Sequence, residues 1–177
     1  MNKILCFVFC FAVFSCKNEV KNTAKTTPKQ IVAQDTKKVA LEVYDFKGLK
    51  PFLERYDDTV YVVNFWATWC SPCVKELPAF EKLRAKYLNK NVKVLLVSLD
   101  FPDAYNTKLK PFIIAHNLKA KVVALDDVDA NTWIPLVNKD WTGSLPATLI
   151  YKNRRSKFFE QSFTYQALEQ ELKPFLN

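Results

Sequence analysis

Two cysteines three residues apart, in Cys70-Ser71-Pro72-Cys73, stand where an apolar run ends and a helical pattern begins. Val60 to Ala67 is nearly continuous and β-branched, which predicts a central strand covered on both faces. After the cysteines, Leu77, Phe80, Leu83 and Tyr87 fall on one helical stripe, with Pro78 inside it as an expected kink. A thiol at such a junction meets the free N–H groups and positive dipole end of the helix, which stabilise a thiolate. Pro72 suits the first turn, where its missing N–H costs nothing. The i, i+3 spacing puts Cys73 on the same face, close enough to close a disulfide. The chemistry implied is thiol–disulfide exchange. Cys70 is expected to be the exposed nucleophile, and Cys73, deeper in the helix, the resolving thiol.

The elements around this junction follow from periodicity. Leu41 to Phe46 alternates as a half-buried strand does, and Gly48 to Tyr56 has helical spacing. Val92 to Leu99 predicts a second buried strand. Ala104 to His116 predicts a helix with Leu109, Phe112, Ile113 and His116 as its stripe. Lys121 to Ala124 predicts a short strand, and Ala130 to Lys139 a helix that Pro135 could break. Ala147 to Tyr151 and Ser156 to Glu160 form a hairpin around Asn153-Arg154, and Thr164 to Phe175 closes with a helix. Strands alternating with helices and ending in a hairpin give an α/β sandwich with a central mixed sheet. An apolar content of 49% excludes wholesale disorder, and two Gly among 177 residues exclude collagen-like sequence.

The stretch Asn64 to Pro78, with its W-C-x-P-C core at Trp69 to Cys73, resembles the active site of thioredoxin-fold oxidoreductases. Asn64 and Glu76 resemble the TlpA/ResA/DsbE group of extracytoplasmic, membrane-tethered thiol–disulfide oxidoreductases. Gly143-Ser144-Leu145-Pro146-Ala147-Thr148 matches that superfamily's cis-proline loop. The resemblance covers roughly residues 40–177 and implies a thioredoxin-like fold, in which a central mixed β-sheet is flanked by helices. The segment Ala104 to Ala124 corresponds to the group's inserted helix and strand. Pro146 would be the cis residue, facing the Cys pair, and the Leu145 backbone would pair with a bound substrate chain. Trp69 and Pro72 would join them as substrate contacts. Glu76, one turn after Cys73, would accept the resolving thiol's proton; its other reading is a solvated helix carboxylate. One departure lies near Gln161-Ser162, where relatives often carry Gly; it is expected to touch turn geometry and not the chemistry.

The implied partners are protein thiols and disulfides, apocytochrome c among them, and a membrane thiol carrier as electron donor. The redox group is the cysteine pair itself, with no external cofactor and no metal, and a monomer is expected. Direction is expected to favour reduction, because Ser71 and Pro72 place no positive charge between the thiols and Glu76 adds a negative one. Three alternatives stay open: a zinc half-site, for which His116 is the only histidine; a Sco-like copper carrier, whose C-x-x-x-C is one residue longer; and a binding module with a structural disulfide. Trp66, Trp133 and Trp141 read as packing, although Trp141 precedes the cis-proline loop and could line a groove. His116 reads as a helix-end residue.

The N-terminal residues carry a second signal. Met1-Asn2-Lys3 is a basic start, and Ile4 to Phe14 is an apolar run too short to span a bilayer. Ser15-Cys16 before polar Lys17 resembles a bacterial lipoprotein signal, which implies cleavage after residue 15 and lipid on Cys16. This divides the chain into a signal peptide (1–15), a basic tether (16–38) and a thioredoxin-like domain (39–177) on the extracytoplasmic side of a bacterial envelope. Cys6 and Cys10 are then filler of the signal. Residues 17–40 hold six Lys against Glu19 and Asp35, so much of the chain's net +8 lies in the tether. Lysines spread along a polar segment without interleaved aromatics do not make a nucleic-acid surface.

Overall fold

The computed structural model describes residues 39–176. The expected signal peptide, the lipid-bearing Cys16 and the tether lie outside the described residues. Six strands form one mixed sheet in the order β1-β4-β3-β2-β5-β6. They are β1 (Glu42–Tyr44), β2 (Val60–Trp66), β3 (Val92–Ser98), β4 (Lys121–Leu125), β5 (Ala147–Lys152) and β6 (Arg155–Phe159). β1 and β4, β4 and β3, and β3 and β2 pair in parallel; β5 runs antiparallel to β2 and to β6. The parallel strands therefore begin at one end of the sheet and finish at the other. The chain enters β1 at the starting end, and Cys70 follows β2 at the finishing end.

β2 is buried at every position and divides the core. Val60, Val62 and Trp66 face one side, with Leu77, Phe80 and Leu83 of α2 (Ser71–Lys86) and Leu168 and Leu172 of α5 (Tyr165–Leu172). Tyr61, Val63 and Phe65 face the other, with Phe46 and Leu49 of α1 (Phe46–Leu49) and Trp133 of α4 (Ala130–Val137). Strict alternation thus puts Asn64, a buried polar residue, on the α2 side.

Several sequence-based expectations change at element ends. The first strand stops at Tyr44, because Asp45 caps α1 by accepting from the Gly48 amide at 2.7 Å. The helix expected from Gly48 to Tyr56 is instead α1 followed by a 3₁₀ turn over Lys50–Phe52. The helix expected over Ala104 to His116 is a 3₁₀ turn (Pro102–Ala104), a π-helical turn (Tyr105–Leu109) and α3 (Lys110–Ala115). Pro111 in the first turn of α3 offers no N–H to the turn before it, which accounts for the change of register. His116 is exposed and stacks on Phe112 at 3.9 Å between centroids, so it is not part of a buried stripe. α2 continues through Pro78, and α4 through Pro135. The last helix tightens into a 3₁₀ turn at Lys173–Phe175, where Pro174 removes a donor.

Candidate active site

The turn between β2 and α2 is tied down by backbone and carboxylate. The Cys70 amide donates to Ala67 O at 3.1 Å, and the Thr68 amide donates to both carboxylate oxygens of Asp100 at 3.0 and 3.2 Å. Asp100 is 2% exposed and also accepts from Ser98 Oγ at 2.8 Å and from Thr68 Oγ1. Three donors around one carboxylate fix the loop that aims Cys70.

Cys70 is the N-cap of α2, with Val74 N donating to its carbonyl at 3.0 Å and Cys73 N donating to its Sγ at 3.3 Å. One amide of the first turn of α2, that of Cys73, therefore already points at this sulfur. Cys70 and Cys73 are joined by a disulfide, with their Cα atoms 5.2 Å apart. Cys70 is less exposed than expected. It is 6% exposed against 0% for Cys73, because Trp69, Ser71, Pro72 and the facing loop crowd it. Its access is through a cleft of about 480 Å³ lined by Trp69, Cys70, Ser71, Pro72, Leu99 and the loop residues Gly143, Ser144 and Leu145. Trp69 is 59% exposed and stands as a wall of that cleft, whereas Trp66 is fully buried.

The facing loop carries Leu145 and Pro146, whose peptide bond is cis. Leu145 borders the cleft, while Pro146 itself is absent from its lining. Two side chains hold the loop. Trp141 does not line a groove; it is buried, packs its ring 4.8 Å from Phe65, and donates from Nε1 to Ser144 O at 3.0 Å. Glu160, just past β6, accepts from the Ser144 amide at 2.8 Å, the Thr142 amide at 3.2 Å and Thr142 Oγ1. The Thr142 hydroxyl and these amides keep the Glu160 carboxyl below its usual range.

Glu76 is not a solvated carboxylate: it is 3% exposed beneath the cysteines. Its Oε1 accepts from Asn64 Nδ2 at 2.8 Å and its Oε2 from the Phe163 amide at 2.8 Å. Burial pushes its pKa up to about 7, against the pull of these two donors toward the charged form. Asn64 also donates to Thr148 Oγ1 at 3.2 Å, and its Oδ1 has no partner among the described residues. That unpaired acceptor is where a protonated Glu76 could donate after a turn of the amide. The segment after β6 therefore reaches Glu76, because the Phe163 amide is one of two donors on this carboxylate among the described residues. Asp100, Glu160 and Phe163 were not legible as site residues. The one local hint was Ser98-Leu99-Asp100 at a strand end, where short polar side chains bond neighbouring backbone.

The arrangement places a disulfide at the rim of an apolar cleft, the Gly143, Ser144 and Leu145 loop opposite, and, one turn behind the buried sulfur, a carboxyl group whose pKa burial pushes up to about 7.

The sequence profile of the AhpC/TSA family matches residues 32–156. The thiol-disulfide oxidoreductase ResA of Bacillus thuringiensis subsp. konkukian is 33% identical over 122 residues, 67% of this chain and 62% of that protein. ResA of Bacillus anthracis is 29% identical over 157 residues, 89% of this chain and 79% of the relative. The chain thus spans less than two thirds of the first relative. Among solved structures, the thiol:disulfide interchange protein of the thioredoxin family from Chlorobium tepidum superposes with a TM-score of 0.59 at 16% identity, over 72% of this chain and 85% of that one. StoA from Bacillus subtilis gives 0.51 at 22% identity, over 64% and 82%. These likenesses identify the fold as thioredoxin-like.

Proposed function

The chain belongs to the AhpC/TSA family, and from that premise we propose that it is a thiol–disulfide oxidoreductase that reduces protein disulfides through Cys70 and Cys73. The observation that carries this reading is the Cys70–Cys73 disulfide at the N-cap of α2, with Cys70 on the rim of the Leu145 cleft. In the reduced protein, the Cys70 thiolate attacks one sulfur of a partner disulfide. A Cys70–partner disulfide forms, and one partner thiolate leaves and takes up a proton. The Cys73 thiol gives its proton to ionised Glu76 and attacks Cys70 Sγ. The Cys70–Cys73 disulfide forms, and the second partner thiolate leaves. Two electrons have passed to the partner, and a thiol donor must return them. Trp69, Pro72 and the Leu145–Pro146 edge would seat the partner chain.

The test is reduction of insulin by dithiothreitol with and without the detergent-solubilised full chain. Acceleration is expected; no acceleration, with the disulfide intact, would mean a binding module instead.

The proposal extends to location. ResA-like relatives and the Ser15-Cys16 junction support an extracytoplasmic protein held by lipid on Cys16, with residues 16–38 as its tether. No helix among the described residues is long and apolar enough to cross a membrane. Lipoprotein processing attaches more than one acyl chain, which is what stable anchoring requires. Cys16→Ala should move the protein from the membrane pellet to the soluble fraction of envelope preparations. A variant that still sediments entirely with membranes would overturn the anchor. Apocytochrome c is the substrate, and a membrane thiol carrier the donor, that the family resemblance supports.

A further inference from the structure

The charge of the domain is divided between the two ends of the sheet. At the starting end of the parallel strands lie segments 54–59, 86–93, 117–121 and 152–155. They hold nine Lys and Arg against Glu54, Asp57 and Asp58. At the finishing end, beside the cysteines, segments 99–104, 126–130, 138–146 and 160–164 hold seven Asp and Glu against Lys139 alone. Residues 39–177 carry 19 basic and 16 acidic side chains, so the basic end holds more than the whole net charge of the domain.

Local ion pairs do not neutralise this end. Lys121 pairs with Glu42 and Lys86 with Glu169, but Lys90, Lys93, Lys119, Lys152 and Arg154 form no salt bridge among the described residues. The end is also hollowed. Arg55, Arg84, Lys93, Lys119 and Lys121 surround a cleft of about 410 Å³ whose apolar wall includes Leu88, itself 63% exposed. Arg154 and Arg155 flank a neighbouring hollow beside Tyr56, which is 65% exposed. Cations ringing an exposed Leu and an exposed Tyr match a phospholipid interface, where charge meets phosphate and an apolar tip enters the headgroup layer.

With lipid on Cys16, the chain would bring this end toward a bilayer. Residue 39 leads into β1 at the basic end, where Glu42 meets Lys121. The 22 residues 17–38 carry six Lys against two acids. They can bridge at most about 75 Å when extended, so an anchor at Cys16 would not by itself choose an orientation.

We infer that the basic end of the domain, around Lys93, Lys119 and Arg154, docks on an anionic phospholipid surface and holds the Cys70 cleft facing away from it. The inference rests on the lipid-anchor reading for its delivery, and on charge and shape for its orientation. The acidic end is repelled by the same surface, so both ends favour one orientation. β2 alone separates the ends by about 20 Å. A docked domain would therefore present the cleft to partners in the space beyond the membrane.

The test is hydrogen–deuterium exchange on the full chain reconstituted into vesicles of phosphatidylcholine alone, or of phosphatidylcholine mixed with phosphatidylglycerol. Amides in 86–93 and 152–155 should be protected on the anionic vesicles and not on the neutral ones, and high salt should remove the protection. Lys93→Gln/Lys119→Gln/Arg154→Gln should lower the docked-to-undocked ratio by on the order of 100-fold, about fivefold per cation. The variant should keep wild-type insulin reduction, since all three residues lie at the end opposite the cysteines. Equal protection on both vesicles, protection at the acidic end, or none on anionic vesicles would overturn the inference. So would protection that appears only when polyglutamate is added, which would assign this end to an acidic polypeptide. Intact mass of the same sample reports the acyl chains, and insulin reduction reports the thiol chemistry. Failure of the anchor or of the oxidoreductase reading is thereby seen separately from failure of docking.

Discussion

Replacing Cys73 by Ala should leave the protein covalently attached to its partners, whereas replacing Cys70 by Ala should leave almost none attached. The two sulfurs are three residues apart but unequal. Cys70 is the helix N-cap and borders the cleft, while Cys73 is 0% exposed beneath it. A partner disulfide entering beside Trp69 and Leu145 meets Cys70 first. Without Cys73, the mixed disulfide has no internal thiol to resolve it and accumulates. Both variants should reduce insulin only at background, because each removes one half of a two-electron exchange. Non-reducing gels of envelope extracts, with and without dithiothreitol, read the outcome. Equal trapping by both variants would remove the assignment of roles.

The second large effect concerns Glu76 and has a definite sign in pH. Its folded-state pKa is about 7 against an ordinary 4.5. Between those values the folded protein holds a proton that the unfolded chain has lost. Stability therefore falls as pH rises through this window, by roughly 3 kcal/mol in all, and is unaffected by this group below it. The oxidised protein isolates the effect, because disulfide-bonded cysteines do not titrate. Urea unfolding of the oxidised wild type should show a higher midpoint at about pH 5 than at about pH 8. Glu76→Gln should flatten that slope and be the more stable of the two at the higher pH. It keeps an acceptor for Asn64 or Phe163 and gains a donor toward the Asn64 Oδ1. If Glu76 is the proposed base of the resolving step, the same substitution should slow that step by on the order of 100-fold near neutrality. Rapid-quench measurement of mixed-disulfide decay reads that rate. A wild type whose urea midpoint does not change across the window would contradict the buried, proton-sharing Glu76.

Much of the fold could be read from periodicity because the decisive elements are long and one-sided. The β-branched runs of β2 and β3 and the helical stripe after Cys73 admit few other readings. What escaped was local punctuation. Asp45-Phe46-Lys47-Gly48 is a capping sequence that ended the first strand early. Pro111 broke an otherwise regular helical pattern into three kinds of turn.

At the site, the cysteines and the Leu145–Pro146 loop are marked by their own residue types. Their supports are not. Thr68 and Asp100 are 32 residues apart, Ser144 and Glu160 are 16, and Glu76 and Phe163 are 87. Each is a carboxylate meeting a backbone amide, and an amide leaves no trace in sequence. The burial that moves Glu76 has the same origin, since α5 and the segment before it cover that face of the sheet only after long-range folding.

On the proposed function, Cys70 and Cys73 cycle between disulfide and dithiol and act as a reductant. A strong oxidant requires a reduced form stabilised by an unusually favoured thiolate. Here α2 supplies its N-terminal amides, but Ser71 and Pro72 bring no charge and Lys75 is exposed on another face. Glu76 sits behind the pair, and the loops beside the cleft are rich in carboxylates, all of which oppose a second anion. The measurement is a dithiothreitol redox titration of the full chain, with the thiols trapped and counted by mass. A reversible two-electron transition is expected nearer thioredoxin's potential, about −270 mV, than DsbA's, about −120 mV. A midpoint above about −180 mV, or a pair that excess dithiothreitol does not open, would contradict it.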